Sequence, residues 1–424
     1  MRRMRGCVVD GVSTGRDLTR ELSLLGVECA HVNSASSYLG LRIEEFVREG
    51  SYDRYVDGRT DLPELVLRLK EWGPDFVVAG SEPGVALCDL LCGELGVPGG
   101  NAASTTAWRR SKYAMHERLR EVGLRCAAQL KTSRRAEGAG RWLDEHGTYP
   151  VVVKPLDSTG SDGVSVCGNR DDALRAFDRL IGRVNRLGGT NDEVLLQEFL
   201  QGRQYFVNSV SWQGEHFVTD IWRHDRRQGE HGRYLFENMT LQPSSGAREL
   251  ALAAYTLKVL DALGLRFGAA HCEVMWTGGG PVLIEANARL MGASIERQVL
   301  HRALGYTQAQ VLAEVLADPG SFRRRAGTHY ELREHVAEAS FVFTCSGELT
   351  GFPRRPDIER LASFHSFVGV PGVGTRVRRT DNTLGEPGYA YFAHTDRDQV
   401  LRDAQAVLDW QRADTVFDIA EDTI

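Results

Sequence analysis

The sequence predicts an α/β (α+β) protein with an N-terminal parallel-sheet domain, a small central lid domain and a C-terminal antiparallel-sheet domain. Residues 1–103 alternate short apolar strands with helical stretches, residues 125–196 run strand, loop, strand, helix, strand, and long alternating strands return from residue 197. A βαβ rhythm implies a parallel sheet, whereas consecutive strands joined by short turns imply an antiparallel one.

The elements follow in order. Cys7-Val8-Val9 is the first strand, 18–25 a helix, 27–32 a second strand, 62–72 a helix and Phe76-Val77-Val78-Ala79-Gly80 a further strand. Gly11-Val12-Ser13-Thr14-Gly15 lacks both the GxGxxG spacing and the later acid of a dinucleotide site, so none is expected there. Residues 104–123 read as one helix capped by Ser104-Thr105-Thr106 and stopped by Gly123. In the lid, Asp171-Asp172 cap a helix over 173–187 that Gly188-Gly189 end. Strands over 205–212 and 216–222 precede a helix over 247–263, and strands over 339–343, 364–367 and 389–393 lead to a last helix over 397–412. The domains therefore read as 1–103, 104–196 with the linker helix, 197–330, and a strand-rich appendage over 331–424.

Composition narrows the class. A chain of 424 residues exceeds one core, and 42% hydrophobic with 25% charged residues is ordinary for a globular protein. A net charge of −6 argues against nucleic acid as a partner, because a duplex requires a cationic face. No apolar run reaches membrane-spanning length, so no membrane partner is expected. Eight scattered cysteines without a CxxC pair suggest neither zinc nor disulfides and fit the cytoplasm, and Met1-Arg2-Arg3-Met4-Arg5 precedes a short strand rather than a signal-peptide core.

The stretch from His271 to Arg289 carries the chemistry. Strand side chains alternate, so Glu285, Asn287 and Arg289 share one face, and the turn at Gly278-Gly279-Gly280 sets Glu273 opposite Glu285. Carboxylate and amide oxygens are hard ligands that suit Mg²⁺, with Mn²⁺ able to substitute, and Mg²⁺ leaves positions for phosphate oxygens. Lysine usage points the same way. Of 51 Lys and Arg residues only five are Lys: Lys70, Lys112, Lys131, Lys154 and Lys258. Lys154 ends the apolar run 149–153 and precedes the small-residue loop Asp157-Ser158-Thr159-Gly160-Ser161-Asp162-Gly163. Such a loop lets backbone N–H groups approach phosphate, and a strand-borne ammonium adds a point charge.

Lys112, Lys154 with its glycine loop, Gln197-Glu198-Phe199-Leu200 followed by Gly202, and Glu273 with Glu285-x-Asn287-x-Arg289 occur in an order that resembles the ATP-grasp superfamily, over residues 1 to about 300. Within it the chain resembles the L-amino acid ligases and related carboxylate-amine ligases of secondary metabolism. The resemblance implies ATP-grasp architecture and the following roles. Lys112 and Lys154 contact the α- and β-phosphates of ATP while Ser158, Thr159, Gly160, Ser161 and Gly163 close over them. Glu273, Glu285 and Asn287 hold Mg²⁺, and Arg289 faces the γ-phosphate and the acyl phosphate. Gln197, Glu198, Phe199 and Leu200 form the adenine hinge, with backbone groups of Glu198 and Leu200 reading the base and Phe199 packing inward. Gln204 stands where the family often has a ribose-binding Glu. The N-terminal domain helps form the substrate pocket, with Ser13 or Glu82 as candidates.

The cation-rich segment 222–234 reads either as a solvated hairpin loop or as a clamp for a substrate carboxylate, with Arg223 and His224 its members. His271 shares the Glu273 face and is either a structural histidine or a border of the substrate site. The appendage either completes the substrate pocket or supports a homodimer. The expected function is ATP-dependent ligation of two amino acids through an acyl phosphate, with ADP and phosphate released. A biotin-carboxylase-like enzyme or a small-molecule kinase is the alternative, and a binding protein with a vestigial site is the non-enzyme option.

Overall fold

The computed structural model describes residues 2–34, 37–38, 41–42, 51–156, 163–185, 189–228, 234–292, 295–381 and 387–421. The N-terminal sheet is parallel, in the order Arg54–Asp57, Glu28–Asn33, Arg5–Val9, Phe76–Ala79. Helices Gly15–Leu24, Leu62–Trp72 and Val85–Leu95 complete the βαβ units. The central strands Val8, Val9, Val77 and Val78 are fully or almost fully buried, as continuous apolar runs between helical layers should be.

The lid is a four-stranded antiparallel sheet, ordered Gln129–Thr132, Val194–Glu198, Val151–Pro155, Ser165–Cys167. Its helix, Arg170–Leu180, is shorter than the sequence suggests. Asn169 rather than the Asp pair is the cap, because its Oδ1 accepts the Asp172 N–H, and the chain leaves the helix at Ile181 before Gly182 turns into the left-handed region at φ 69°. Asp171 and Asp172 instead occupy the first turn, where carboxylates offset the helix dipole.

The expected helix over 104–123 is broken. A 3-10 turn, Ala103–Thr105, and a helix, Thr106–Arg110, end at Ser111, whose extended backbone and Oγ cap a new helix, Lys112–Glu121. Ser104, Thr105 and Thr106 make no cap bond as expected; Thr105 and Thr106 instead bond Arg109 and Asp89. The break places Lys112 at the first position of a helix whose side chains face the hairpin.

The catalytic sheet has eight strands, ordered Gly280–Asn287, Gly268–Thr277, Arg203–Trp212, Glu215–Gln228, Tyr234–Leu241, His335–Ser340, Tyr389–His394, Phe364–Val368. Three strands beyond residue 330 therefore extend the sheet that carries the Glu273–Glu285 hairpin, while Arg376–Val377, Gly347–Gly351 and Asp418–Glu421 form a separate three-stranded sheet. Helix Ala247–Ala262 packs on this sheet, with Leu252, Val259 and Leu260 fully buried in its principal core, and helix Arg397–Arg412 covers the distal strands.

Candidate active site

Glu273 pairs with Glu285 and His271 with Asn287 across the hairpin, so the four side chains share one face. Burial, then the charge of Glu285, raises the Glu273 carboxyl above its usual range. Burial also pushes Glu285 upward, but the Lys112 ammonium 2.9 Å from its Oε1, with Lys154 and Arg289 beyond, outweighs that and the net shift is downward.

His271 Nδ1 lies 2.8 Å from Asn208 Oδ1, while Asn208 Nδ2 donates to Asp220 Oδ1. That assignment makes Nδ1 the protonated nitrogen and leaves Nε2 bare, 3.9 Å from Glu273 Oε1. Burial holds the imidazole neutral. When Glu273 is ionised, two acceptors thus face each other, an arrangement a cation relieves. Asn287 Nδ2 reaches the His271 carbonyl at 3.5 Å, leaving its amide oxygen for a ligand. Among the described residues no three His, Cys, Asp or Glu side chains gather into a metal cluster, so the fitting set is two carboxylates and an amide. Such an open oxygen set fits a hard divalent ion that keeps phosphate and water as further ligands.

Lys154 is buried on Val151–Pro155, and its Nζ donates to Gln197 Oε1 at 2.8 Å. Burial, then the charge of Lys112, lowers its pKa to about 8. Gln197 is itself oriented by Gln129, 3.3 Å from its Nε2, so its side chain steers the lysine. Ser158, Thr159, Gly160 and Ser161 lie outside the described residues. Gly163 has φ 67°, in the left-handed region that favours glycine, and a Cβ there would also displace the end of the Leu180 side chain, 2.7 Å away.

The hinge differs from expectation at two residues. The Glu198 N–H is donated to Ala128 O at 2.8 Å and its Oε2 accepts the Ala128 N–H, so that N–H is spent within the lid sheet. Phe199 is half-buried and joins no hydrophobic cluster of described residues, so it does not pack inward. Leu200, also half-buried, lies beyond the strand end. Gln204 donates its Nε2 to Glu273 Oε2 at 2.7 Å and orients the acid instead of standing apart as a ribose ligand.

The expected clamp divides. Arg223 points to the other face, where its Nε and Nη2 hold Asp225 Oδ2 at 2.9 and 2.7 Å. His224 pairs with Gln204 and lies on the same face as Glu273, but burial, then Arg226, depress its pKa to about 3. A neutral ring is no cation for a carboxylate. Arg226 was missed by position near the strand end, although alternation from His224 would have found it, and its charge lowers the pKa of Glu273. Arg289 lies just past the hairpin, its Nη1 donating to Leu290 O at 2.8 Å and its Nε 3.4 Å from Glu82 Oε2. Ser13 Oγ donates to Gly292 O at 2.6 Å, tying the first loop to the same segment.

The comparisons with known proteins now bear on this geometry. Residues 147–297 match the ATP-grasp domain family model. Over 387 residues the chain is 31% identical to dapdiamide A synthase of Enterobacter agglomerans, covering 90% of this chain and 89% of that one. The chain belongs to the ATP-grasp superfamily. Among solved structures it superposes on an L-amino acid ligase from Bacillus licheniformis with TM-score 0.73 at 16% identity, over 100% of both chains. An N5-carboxyaminoimidazole synthase from Aspergillus clavatus, in complex with ADP and 5-aminoimidazole ribonucleotide, matches with TM-score 0.68 at 14% identity, over 96% of this chain and 98% of that one. At those identities the likeness is one of fold.

Proposed function

We propose that this ATP-grasp ligase joins two amino acids by an amide bond, in a dipeptide or γ-glutamyl-type linkage. A substrate carboxylate attacks the γ-phosphorus of ATP, giving an acyl phosphate and ADP, and an amine then displaces phosphate. The observation that carries this reading is the convergence of Lys112, Lys154 and Arg289 on the Glu273–Glu285 pair: Lys112 Nζ lies 2.9 Å from Glu285 Oε1, and the charges of Lys154 and Arg289 add to its own in favouring the ionised carboxylate. Positive groups around an open acidic site suit phosphoryl transfer, in which positioning and charge supply most of the rate. Glu273, Glu285 and Asn287 would hold Mg²⁺, or Mn²⁺ in its place, which supplies neutralisation of phosphate charge when bound. Lys112 and Lys154 bind the α- and β-phosphates under the loop that includes Ser158, Thr159, Gly160 and Ser161. Arg289 spans the γ-phosphate and the attacking carboxylate.

The partners are amino acids taken as small-molecule substrates. Among the described residues no helix is long and apolar enough to cross a membrane, and all eight cysteines are free. Free, mostly buried thiols suit a reducing compartment, and we place the protein in the cytoplasm. The test is incubation with ATP, Mg²⁺ and pairs of the standard L-amino acids, with nucleotides separated by chromatography and products weighed by mass spectrometry. ADP, phosphate and an amide are expected. AMP with pyrophosphate would remove the acyl-phosphate mechanism, a phosphorylated product without amide would make the protein a kinase, and bicarbonate-dependent turnover would make it a carboxylase.

A further inference from the structure

Three buried polar atoms without partners among the described residues meet on the active face: Gln204 Oε1, His224 Nδ1 and His224 Nε2. They belong to one directly opposed cross-strand pair. His224 is 2% exposed, stacks on Phe206 at 4.7 Å between ring centroids and meets Phe236 edge-on at 4.1 Å, so its ring is fixed on both sides. Gln204 is fixed as well, since its Nε2 is committed to Glu273 Oε2 and its oxygen must point elsewhere. An unmade hydrogen bond at a buried group costs about 1 to 3 kcal/mol; Ser209, Asn238 and Ser340 each leave a single such atom elsewhere in the sheet, whereas three gathered in one cross-strand pair point to a missing ligand.

The donor count identifies its class. Gln204 Oε1 is an acceptor, and a neutral imidazole has one bare nitrogen that accepts. Burial keeps the ring neutral throughout the working pH range. A carboxylate could meet only the imidazole N–H and would leave both acceptors unpaired. A primary amine brings two N–H donors and keeps its lone pair. Distance agrees, because the His224 strand lies two places from the Glu273 strand, about 10 Å at the usual sheet spacing. That gap accommodates a phosphate, an acyl carbon and the nitrogen that attacks it. Of the other buried acids on this face, Asp220 already accepts from Asn208, Thr219 and Trp222, and Glu338 is four strands from Glu273, about 19 Å, too remote for the reacting nitrogen.

We propose that Gln204 Oε1 and His224 form the cradle for the attacking amine of the acceptor amino acid, each accepting one of its N–H groups. This rests on the ligase reading above. The nitrogen lone pair then forms the C–N bond, the acyl C–O bond to phosphate breaks with its electron pair leaving on oxygen, and the proton lost from nitrogen is carried by the departing hydrogen phosphate. His224 and Gln204 orient the nucleophile and need not themselves be protonated.

The test separates acyl-phosphate formation from its capture. His224→Phe keeps an aromatic ring in the slot and removes the nitrogen; His224→Leu serves should that variant not fold. With ATP, Mg²⁺ and a donor amino acid that turns over in the wild type, saturating hydroxylamine traps the acyl phosphate as a hydroxamate without needing the cradle. Hydroxamate formation is expected to stay within about threefold, while kcat/KM for the acceptor amine falls roughly 10²-fold with the amine KM raised. His224→Asn, which restores an acceptor, should recover part of the loss. Equal losses in both reactions, or unchanged amide formation, would overturn the cradle. A wild-type enzyme that forms neither hydroxamate nor amide with any amino acid would sink the ligase reading itself, and the cradle with it.

Discussion

Glu273 and Glu285 are directly opposed on the hairpin, yet their protons are held differently. Burial and its neighbour's charge raise Glu273 to about 7, whereas Lys112 keeps Glu285 ionised below the usual glutamate range. One carboxylate is therefore negative by virtue of a lysine, and the other becomes fully so when further positive charge arrives. A pair of this kind is poised to exchange a proton for a cation, because like charges so close resist joint ionisation.

Glu285→Gln should abolish turnover while the fold persists. The change removes the charge proposed to hold the metal and the partner of Lys112, so rate should fall by at least about 10³-fold, but a partly exposed strand position should cost only about 1 kcal/mol of stability. Steady-state rates beside urea unfolding check both halves. Wild-type activity in this variant would remove the metal assignment.

Gln197→Leu should weaken nucleotide binding without direct contact. Gln197 Oε1 is the acceptor that holds the Lys154 ammonium, and leucine leaves that buried charge to reorient. The ATP KM should rise about tenfold with kcat changed less, since a displaced lysine chiefly alters ground-state phosphate binding. Titration with a non-hydrolysable ATP analogue should show the same loss, and unaltered affinity would mean that Lys154 does not serve the phosphates.

Much of this site is legible in sequence because its logic is local. Strand alternation and a glycine turn suffice to oppose Glu273 to Glu285, and scarcity singles out Lys112 and Lys154. What is not legible depends on remote partners or on a competing local bond. Nothing near Gln204 announces that Glu273 will claim its amide, and the break at Ser111 arises because a serine side chain captured the Ala114 N–H within an otherwise helical pattern. Adjacent strand residues face opposite ways, so Arg223 and His224 cannot form one clamp, and alternation from His224 favours Arg226. The continuity of the catalytic sheet past residue 330 rests on pairing of Asn238, Met239 and Thr240 with Ala339, Glu338 and Ala337, a separation that no periodicity reports.

The distal end of that sheet should make stability pH-dependent. Glu338 is 1% exposed, accepts the Tyr391 hydroxyl, and is raised to about 7 because burial disfavours its charge. The folded state therefore holds a proton that the unfolded chain has released between about pH 4.5 and 7, so stability is greatest below that window and is lost as pH rises through it. The loss is of the order of 3 kcal/mol. Glu338→Gln keeps the shape and cannot ionise, so urea unfolding at pH 5 and pH 8 should show a smaller difference for the variant. Equal pH dependence in both proteins would mean that Glu338 is not the responsible group.

Arg289→Lys should not behave as a conservative change. The guanidinium is anchored by its bond to Leu290 O and by Glu82 beside its Nε, which fixes the plane of the remaining donors. A planar fork can bridge the γ-phosphate and the attacking carboxylate, while a lysine presents a point charge on a flexible stem and cannot reproduce both bonds. Because the bridge is complete only as the carboxylate attacks, the transition state should lose more than bound ATP does. The expected result is a fall in kcat of roughly 10²-fold or more, the scale for loss of one oxyanion donor, with nucleotide affinity little changed. Calorimetric titration with a non-hydrolysable ATP analogue, set beside steady-state rates, separates the two effects. A variant that loses affinity but keeps its kcat would make Arg289 a nucleotide-binding residue, and Arg226, on the same face and close enough to lower the Glu273 pKa, would become the cation to test for stabilising the reacting carboxylate.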